Sequence, residues 1–411
     1  MDNKYFIQLI WVFYQFVYLS LVFPIYCFAL FVKPRKQRWI FGAQRGHAFS
    51  DNAKHLYLYV HEKENMTAVW LTRSKAIVED LTSKGYNAYY FYSLAGLYYC
   101  MSSSVAVVTH MGNNMRGDLP FFALNRKASI VQLWHGIPLK KIGFDDKLFS
   151  QKKHLPFVQF IKEKAYGLFP YASRIQSPSA VLALSIESKK LFSSAFRVSE
   201  EKIFITGYPR NDLIYENMMP TCLSAAKKVI FMPTFRGCEG ASLDPLSDFN
   251  FNATIFDPIL EKNNLELYIK LHPFNLPSND LIKQIDDSNY IHFLDCEDIY
   301  EHINQFDILI TDYSSIFFDF LLLDRPIIFT PFDHETYLTK DRELYYDYDK
   351  VTPGPKAYNW VEVFELLLNI DVIYNNYKLQ RQNIRDLFHT YQDGESRKRV
   401  YELICGLADQ V

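Results

Sequence analysis

Ile130-Val131-Gln132-Leu133-Trp134-His135-Gly136-Ile137-Pro138-Leu139-Lys140-Lys141 is an aliphatic run that ends in an imidazole, a glycine and two lysines. A short run this apolar, without polar alternation, predicts a strand buried on both faces, and such strands belong to parallel sheets covered by helices. The same form recurs outward from it. Trp39-Ile40-Phe41, Ala68-Val69-Trp70-Leu71, Ala88-Tyr89-Tyr90-Phe91 and Val105-Ala106-Val107-Val108 precede it. Lys228 to Met232, Leu267 to Leu271, Asp307 to Ile310 and Pro326 to Phe329 follow. Helix-compatible stretches lie between: Lys75 to Lys84, closed by Gly85 as a C-cap, Phe256 to Lys262, and Ser315 to Leu323. This alternation predicts an α/β chain of two Rossmann-like domains facing across a cleft, with ligands at the carboxyl ends of the strands. The expected division is a membrane-associated helical segment over 1–35, a first domain over 36–199, a second over 200–375 opened by Ile203-Phe204-Ile205-Thr206, and C-terminal helices over 376–411 crossing back to the first domain.

A length of 411 residues fits two domains, and 49% apolar with 22% charged residues fits a globular chain. A net charge of -2 argues against nucleic acid as partner. The six cysteines form no CxxC pair and no disulfide framework, which points to a reducing compartment without structural zinc. From Tyr5 to Val32 there is no charged residue and no histidine. As a helix this run would extend about 42 Å at ~1.5 Å per residue, enough for a bilayer core. Lys33, Arg35, Lys36 and Arg38 follow, which favours the body of the protein on the cytoplasmic side of a membrane. Gln8, Gln15, Ser20 and Pro24 interrupt the run, so a single span, an interfacial helix and a re-entrant hairpin split at Pro24 are the alternatives.

The polar motifs fall directly after strands. His135 can take a proton near neutrality, Gly136 lets backbone approach a ligand, and Lys140 and Lys141 can neutralise phosphate; the plain alternative is a packed loop histidine with solvated lysines. Lys270-Leu271-His272-Pro273 ends another strand in an imidazole, which can stabilise charge on a leaving pyrophosphate or be an ordinary turn histidine. Thr311-Asp312-Tyr313-Ser314-Ser315 sits at a strand-to-helix junction, where hydroxyls and free N–H groups suit phosphate as well as simple capping. Pro233-Thr234-Phe235-Arg236-Gly237 places a guanidinium after a strand, and Arg210 in Gly207-Tyr208-Pro209-Arg210-Asn211-Asp212 can bind phosphate or pair with Asp212. His110 follows the Val105–Val108 strand toward the same presumed cleft. No G-x-S-x-G, H-E-x-x-H or Walker motif is present. No metal site and no cofactor are expected.

These motifs, in this order and joined by Phe318-Asp319-Phe320, Asp324-Arg325-Pro326-Ile327-Ile328-Phe329, Tyr348-Asp349 and Pro353-Gly354-Pro355, resemble the CDP-glycerol glycerophosphotransferase family of teichoic-acid and capsule synthesis. The resemblance implies a GT-B-like fold whose second domain binds the CDP part of the donor. It implies His135 as catalytic base and His272 as the phosphate-stabilising histidine. Thr311, Ser314 and Ser315 would hold the pyrophosphate with Arg236 beside it, and Asp312 and Arg210 are further donor-side candidates. The implied partners are CDP-glycerol or CDP-ribitol and a lipid-linked saccharide or polymer at the inner membrane face. A nucleotide-sugar glycosyltransferase and a non-catalytic membrane adaptor are the rival readings. The segment Gly46-His47-Ala48-Phe49-Ser50-Asp51-Asn52 departs from the family's pattern, so acceptor contacts do not carry over.

Overall fold

The computed structural model describes residues 3–110, 117–119, 128–146, 178–216, 226–234, 244–271, 275, 277–334 and 343–409. Seven strands form the first sheet: β1 (Arg35–Gly42), β2 (Thr67–Thr72), β3 (Ala88–Tyr90), β4 (Ser103–Val108), β5 (Ser129–Gln132), β6 (Ala180–Ala183) and β7 (Ile203–Ile205). They are all parallel, in the order β3-β2-β1-β4-β5-β6-β7. Five strands form the second: β8 (Lys227–Phe231), β9 (Leu265–Ile269), β10 (Ile291–Phe293), β11 (Ile308–Thr311) and β12 (Ile327–Phe329). These too are parallel, in the order β10-β9-β8-β11-β12. Every residue of β4 and β5 is buried, as two helix-covered faces require. Both orders are doubly wound: connections leave in opposite directions from the β1/β4 pair and from the β8/β11 pair.

The chain divides into two compact units, Met1–His135, Lys147–Asp212 and Glu395–Val411 against Gly136–Asp146 and Leu213–Gly394. The expected boundary at 199/200 is therefore corrected. Ile203–Ile205 does not open the second half; it pairs with β6 through Val181↔Ile203 and Ala183↔Ile205 and completes the first sheet. The C-terminal helices are corrected in the same way. Lys378–Phe388 stays with the second unit, Gly394 turns the chain at φ +71, and Ser396–Ala408 alone joins the first.

Asp212 fixes that last helix. Its carboxylate accepts hydrogen bonds from Ser396 N at 2.9 Å, Arg397 N at 2.8 Å and Arg397 Nε at 3.1 Å, satisfying donors that a helix start leaves open. Gly207, at φ +81, leaves room for Ser396, whose side chain a Cβ would strike. Asp212→Ala should therefore lower stability by about 1–3 kcal/mol, read as an earlier midpoint in chemical denaturation; an unchanged midpoint would show that the cap contributes nothing.

The N-terminal helix Asn3–Ala29 continues through Pro24, so the re-entrant hairpin is not formed. Leu19, Val22, Tyr26 and Ala29, spaced three and four apart along one stripe, pack into the cluster of Ile40, Val69, Leu71, Ala106 and Val108 on the first sheet. The opposite face leaves Phe13, Leu21 and Phe28 exposed at 69%, 70% and 62%. Val12–Ala29 is long and apolar enough to cross a membrane, with a mean hydropathy of 1.7.

Candidate functional site

In the first unit, the segments leaving β1, β4 and β5 meet beyond the carboxyl ends of the strands. After β1 the chain turns through Gln44, Arg45 and Gly46 with φ of 45°, 59° and 80°. After β4 come Thr109 and His110. Asp118, fully buried, ties the two together: its carboxylate accepts from Arg45 N, Thr109 N, Thr109 Oγ1 and His110 N, each at 2.7 Å. Gly42 permits this approach, since a Cβ there would lie 2.6 Å from the Asp118 carbonyl oxygen.

After β5, Trp134 takes the left-handed conformation at φ 60°, and Gly136 follows at φ 154°. The unusual turn is held from outside. Asn52 Nδ2 donates to Trp134 O at 2.9 Å, and Arg210 Nη1 donates to His135 O at 3.0 Å. The His135 ring is thereby laid against His110, with centroids 4.0 Å apart and planes within 10°, and against Trp134, also at 4.0 Å. Burial holds the His135 imidazole well below its ordinary value, and His110 and Arg210 push it the same way. His135 is therefore neutral at pH 7, the form that accepts a proton. Burial also lowers His110, opposed by the carboxylates of Asp118 and Asp51.

Arg210 does not pair with Asp212. Its guanidinium, 4% exposed, donates to Asp51 Oδ1 at 2.6 Å, and its backbone N–H donates to Asn52 Oδ1 at 3.2 Å. Direct phosphate binding by Arg210 is accordingly replaced by a scaffolding role, because Nη1 is committed to Asp51 and to the His135 carbonyl.

In the second unit the loops after β8 and β11 meet in the same manner. Asp312 Oδ1 accepts from Thr234 N at 2.7 Å and from Tyr313 N at 2.6 Å, and Thr311 Oγ1 donates to Met232 O at 2.6 Å. Thr311 and Asp312 are 0% and 2% exposed. They latch two loops together rather than presenting their own side chains to a ligand, which corrects the expectation of direct contact. Ser314 and Ser315 are half-buried, and among the described residues their hydroxyls make no hydrogen bond. Tyr348 Oη donates to the Asp312 carbonyl at 3.2 Å, and the Tyr313 hydroxyl lies 3.2 Å from His334 Nδ1. Lys141 is paired with Glu343 at 2.6 Å, and Lys140 forms a backbone bridge with Leu344. His272 and Arg236 lie outside the described residues. Among the described residues, no group of three His, Cys, Asp or Glu side chains is placed to hold a metal ion.

Sequence reasoning missed Asp118 and the roles of Asp51 and Asn52. The strand-end rule that finds His135 also finds His110, but the residues that orient both histidines come from loops with no motif of their own.

The family model of CDP-glycerol:poly(glycerophosphate) glycerophosphotransferases matches residues 25–406. The chain belongs to that family. It is similar to a teichoic acid poly(glycerol phosphate) polymerase of Bacillus spizizenii, 30% identical over 401 residues, covering 91% of this chain and 93% of the relative. It is similar also to a teichoic acid glycerol-phosphate transferase of Staphylococcus aureus, 28% identical over 401 residues, covering 90% and 93%. Among solved structures, the wall teichoic acid polymerase TagF superposes with a TM-score of 0.70 over 100% of this chain and 99% of that chain, at 19% identity. That likeness concerns the fold, which is GT-B-like. Family membership makes this chain a CDP-glycerol-dependent transferase of cell-wall polymer synthesis.

Proposed function

We propose that this glycerophosphotransferase moves glycerol phosphate from CDP-glycerol to a terminal hydroxyl of a lipid-linked saccharide or polymer, releasing CMP at the cytoplasmic face of the membrane. The observation that carries the reading is a neutral, buried-side imidazole, His135, locked in orientation beyond a doubly wound sheet. The acceptor oxygen attacks the glycerol-bearing phosphorus as His135 takes its proton, and the bond to the bridging oxygen of CMP breaks. His272 and Arg236 offset the charge that grows on that oxygen. Ser314 and Ser315 hold the diphosphate, on a loop that Thr311 and Asp312 brace. Glycerol is preferred to ribitol because the relatives at 30% and 28% identity along nearly their whole length carry glycerol phosphate in their names, whereas a ribitol-phosphate primase matched over 90% of its length is 25% identical.

The test is incubation of the purified protein with CDP-glycerol or CDP-ribitol and a synthetic lipid-linked acceptor, with CMP and product mass read directly. A mass increment of glycerol phosphate is the expected product. Release of no CMP from either donor would end the proposal, and an exclusive ribitol phosphate increment would redirect it.

Membrane attachment fits an interfacial helix better than a span. The stripe at Leu19, Val22, Tyr26 and Ala29 is already packed on the sheet, while Phe13, Leu21 and Phe28 face away from it. Lys33 and the first residues of β1, Arg35 and Lys36, are exposed just past the helix, where anionic headgroups would meet them. Each large apolar side chain lost from the lipid costs about 1.5–3 kcal/mol, so the triple variant F13D/L21D/F28D should stop floating with phosphatidylglycerol vesicles. Co-flotation at the wild-type level would rule out this helix face as the anchor.

A further inference from the structure

The reaction leaves His110 without a task, yet its position is strongly specified. Its backbone is gripped by the buried Asp118, and its ring lies flat on His135 at 4.0 Å. The Nδ1 atoms of both rings are buried and have no hydrogen-bond partner among the described residues. Two imidazoles stacked this closely resist carrying two positive charges, so the pair titrates as one unit and holds a single proton over most of its range.

The flanking charges decide which ring takes that proton. His110 faces the carboxylates of Asp118 and Asp51, with the Arg45 guanidinium opposing them. His135 faces the guanidinium of Arg210, which donates to its carbonyl at 3.0 Å, and only a hydrogen bond to the Thr109 backbone, the smallest of the influences on it, favours its charged form. The Trp134 indole packs on both rings and brings no formal charge. The Asp118 carboxylate stands on the His110 side, whereas Asp51 is paired with Arg210, whose Nη1 also reaches the His135 carbonyl.

We propose that His110 is a positioning residue that takes the first proton of a stacked histidine dyad and thereby switches off His135 as a base on the acid side. The inference rests on reading His135 as the general base. With His110 neutral, its ring face fixes the plane of His135 and leaves that imidazole basic. With His110 protonated, a proton arriving on His135 would set two cations face to face, so abstraction from the acceptor hydroxyl fails. In each turnover the hydroxyl proton moves to His135 alone; no bond to His110 forms or breaks.

The sign of the pH effect follows. In the wild type the acid limb of kcat/KM marks the first protonation of the dyad, which belongs to His110. Without His110 the limb belongs to His135 itself, which lacks the Asp118 carboxylate and protonates lower.

The experiment is the pH profile of CMP release by full-length wild type, H110Q and H135N, with CDP-glycerol and the synthetic acceptor. H110Q should move the acid limb downward by about one pH unit, while its alkaline plateau falls less than about tenfold. An unmoved limb with a uniform loss would reduce His110 to a packing residue and overturn the proposal, as would an upward shift. The two readings fail separately. Activity in H135N removes the base itself, whereas an inactive H135N beside an unmoved H110Q limb removes only the dyad. Should H110Q not fold, imidazole proton titration by NMR of the wild type decides: His110 must protonate at a higher pH than His135, and the reverse order overturns the proposal.

Discussion

H135N should release CMP from CDP-glycerol about a thousandfold more slowly than wild type, the scale of a lost general base. Asparagine keeps much of the volume and one hydrogen-bonding edge, so the stack with His110 and Trp134 is disturbed little, but it cannot take a proton. The carbonyl that receives Arg210 Nη1 belongs to the backbone and survives the change. Thermal unfolding and KM for CDP-glycerol should therefore stay near wild type while kcat collapses. Turnover within tenfold of wild type would remove His135 from the chemistry. Because burial holds both His110 and His135 below the ordinary imidazole value, wild-type activity should also persist below pH 6.5, where a solvated histidine base would already be protonated.

The second large effect is on stability. R210A should destabilise the first unit by about 3–5 kcal/mol, because it leaves the Asp51 carboxylate, 11% exposed, without its charge partner. The same change frees the His135 carbonyl, so activity should fall beyond what unfolding explains. Lysine should rescue poorly, since one ammonium does not reproduce the geometry of a planar guanidinium that reaches Asp51 and the His135 carbonyl together. D51A/R210A, with neither charge buried, should recover part of the lost stability. Urea denaturation of the four proteins measures this. If R210A unfolds at the wild-type midpoint, the buried pair is not what holds the turn.

These effects show where the sequence is legible and where it is not. The strands around His135 can be read because a strand covered on both faces must be apolar along its whole length, as Val105–Val108 is. β6 and β10 go unread: half of Ala180–Ala183 is alanine, which favours helix, and His292 breaks the apolar run Ile291–Phe293. Ile203–Ile205 reads correctly as a strand but not as a member of the first sheet, because its membership depends on pairing with β6, which local pattern does not encode. His110 and His135 are visible by position. Their stacking is not, since it depends on Asp118 and Arg210, which the fold brings in from 8 and 75 residues away. Thr311 and Asp312 show the opposite failure. Their hydroxyl and carboxylate suit phosphate on paper, and the fold turns both inward to brace neighbouring loops.

The interleaved division of the chain also bears on its synthesis. Asp212 and Ser396 are separated by 184 positions, so at roughly 5–20 residues per second the ribosome needs on the order of 10–40 s to supply the closing helix. Throughout that interval Trp39, which packs against Tyr401 in the finished protein, lacks its aromatic neighbour. The nascent amino-terminal half thus waits, incomplete and sticky, for the last segment to emerge, and a stalled or prematurely ended message would leave it exposed to aggregation.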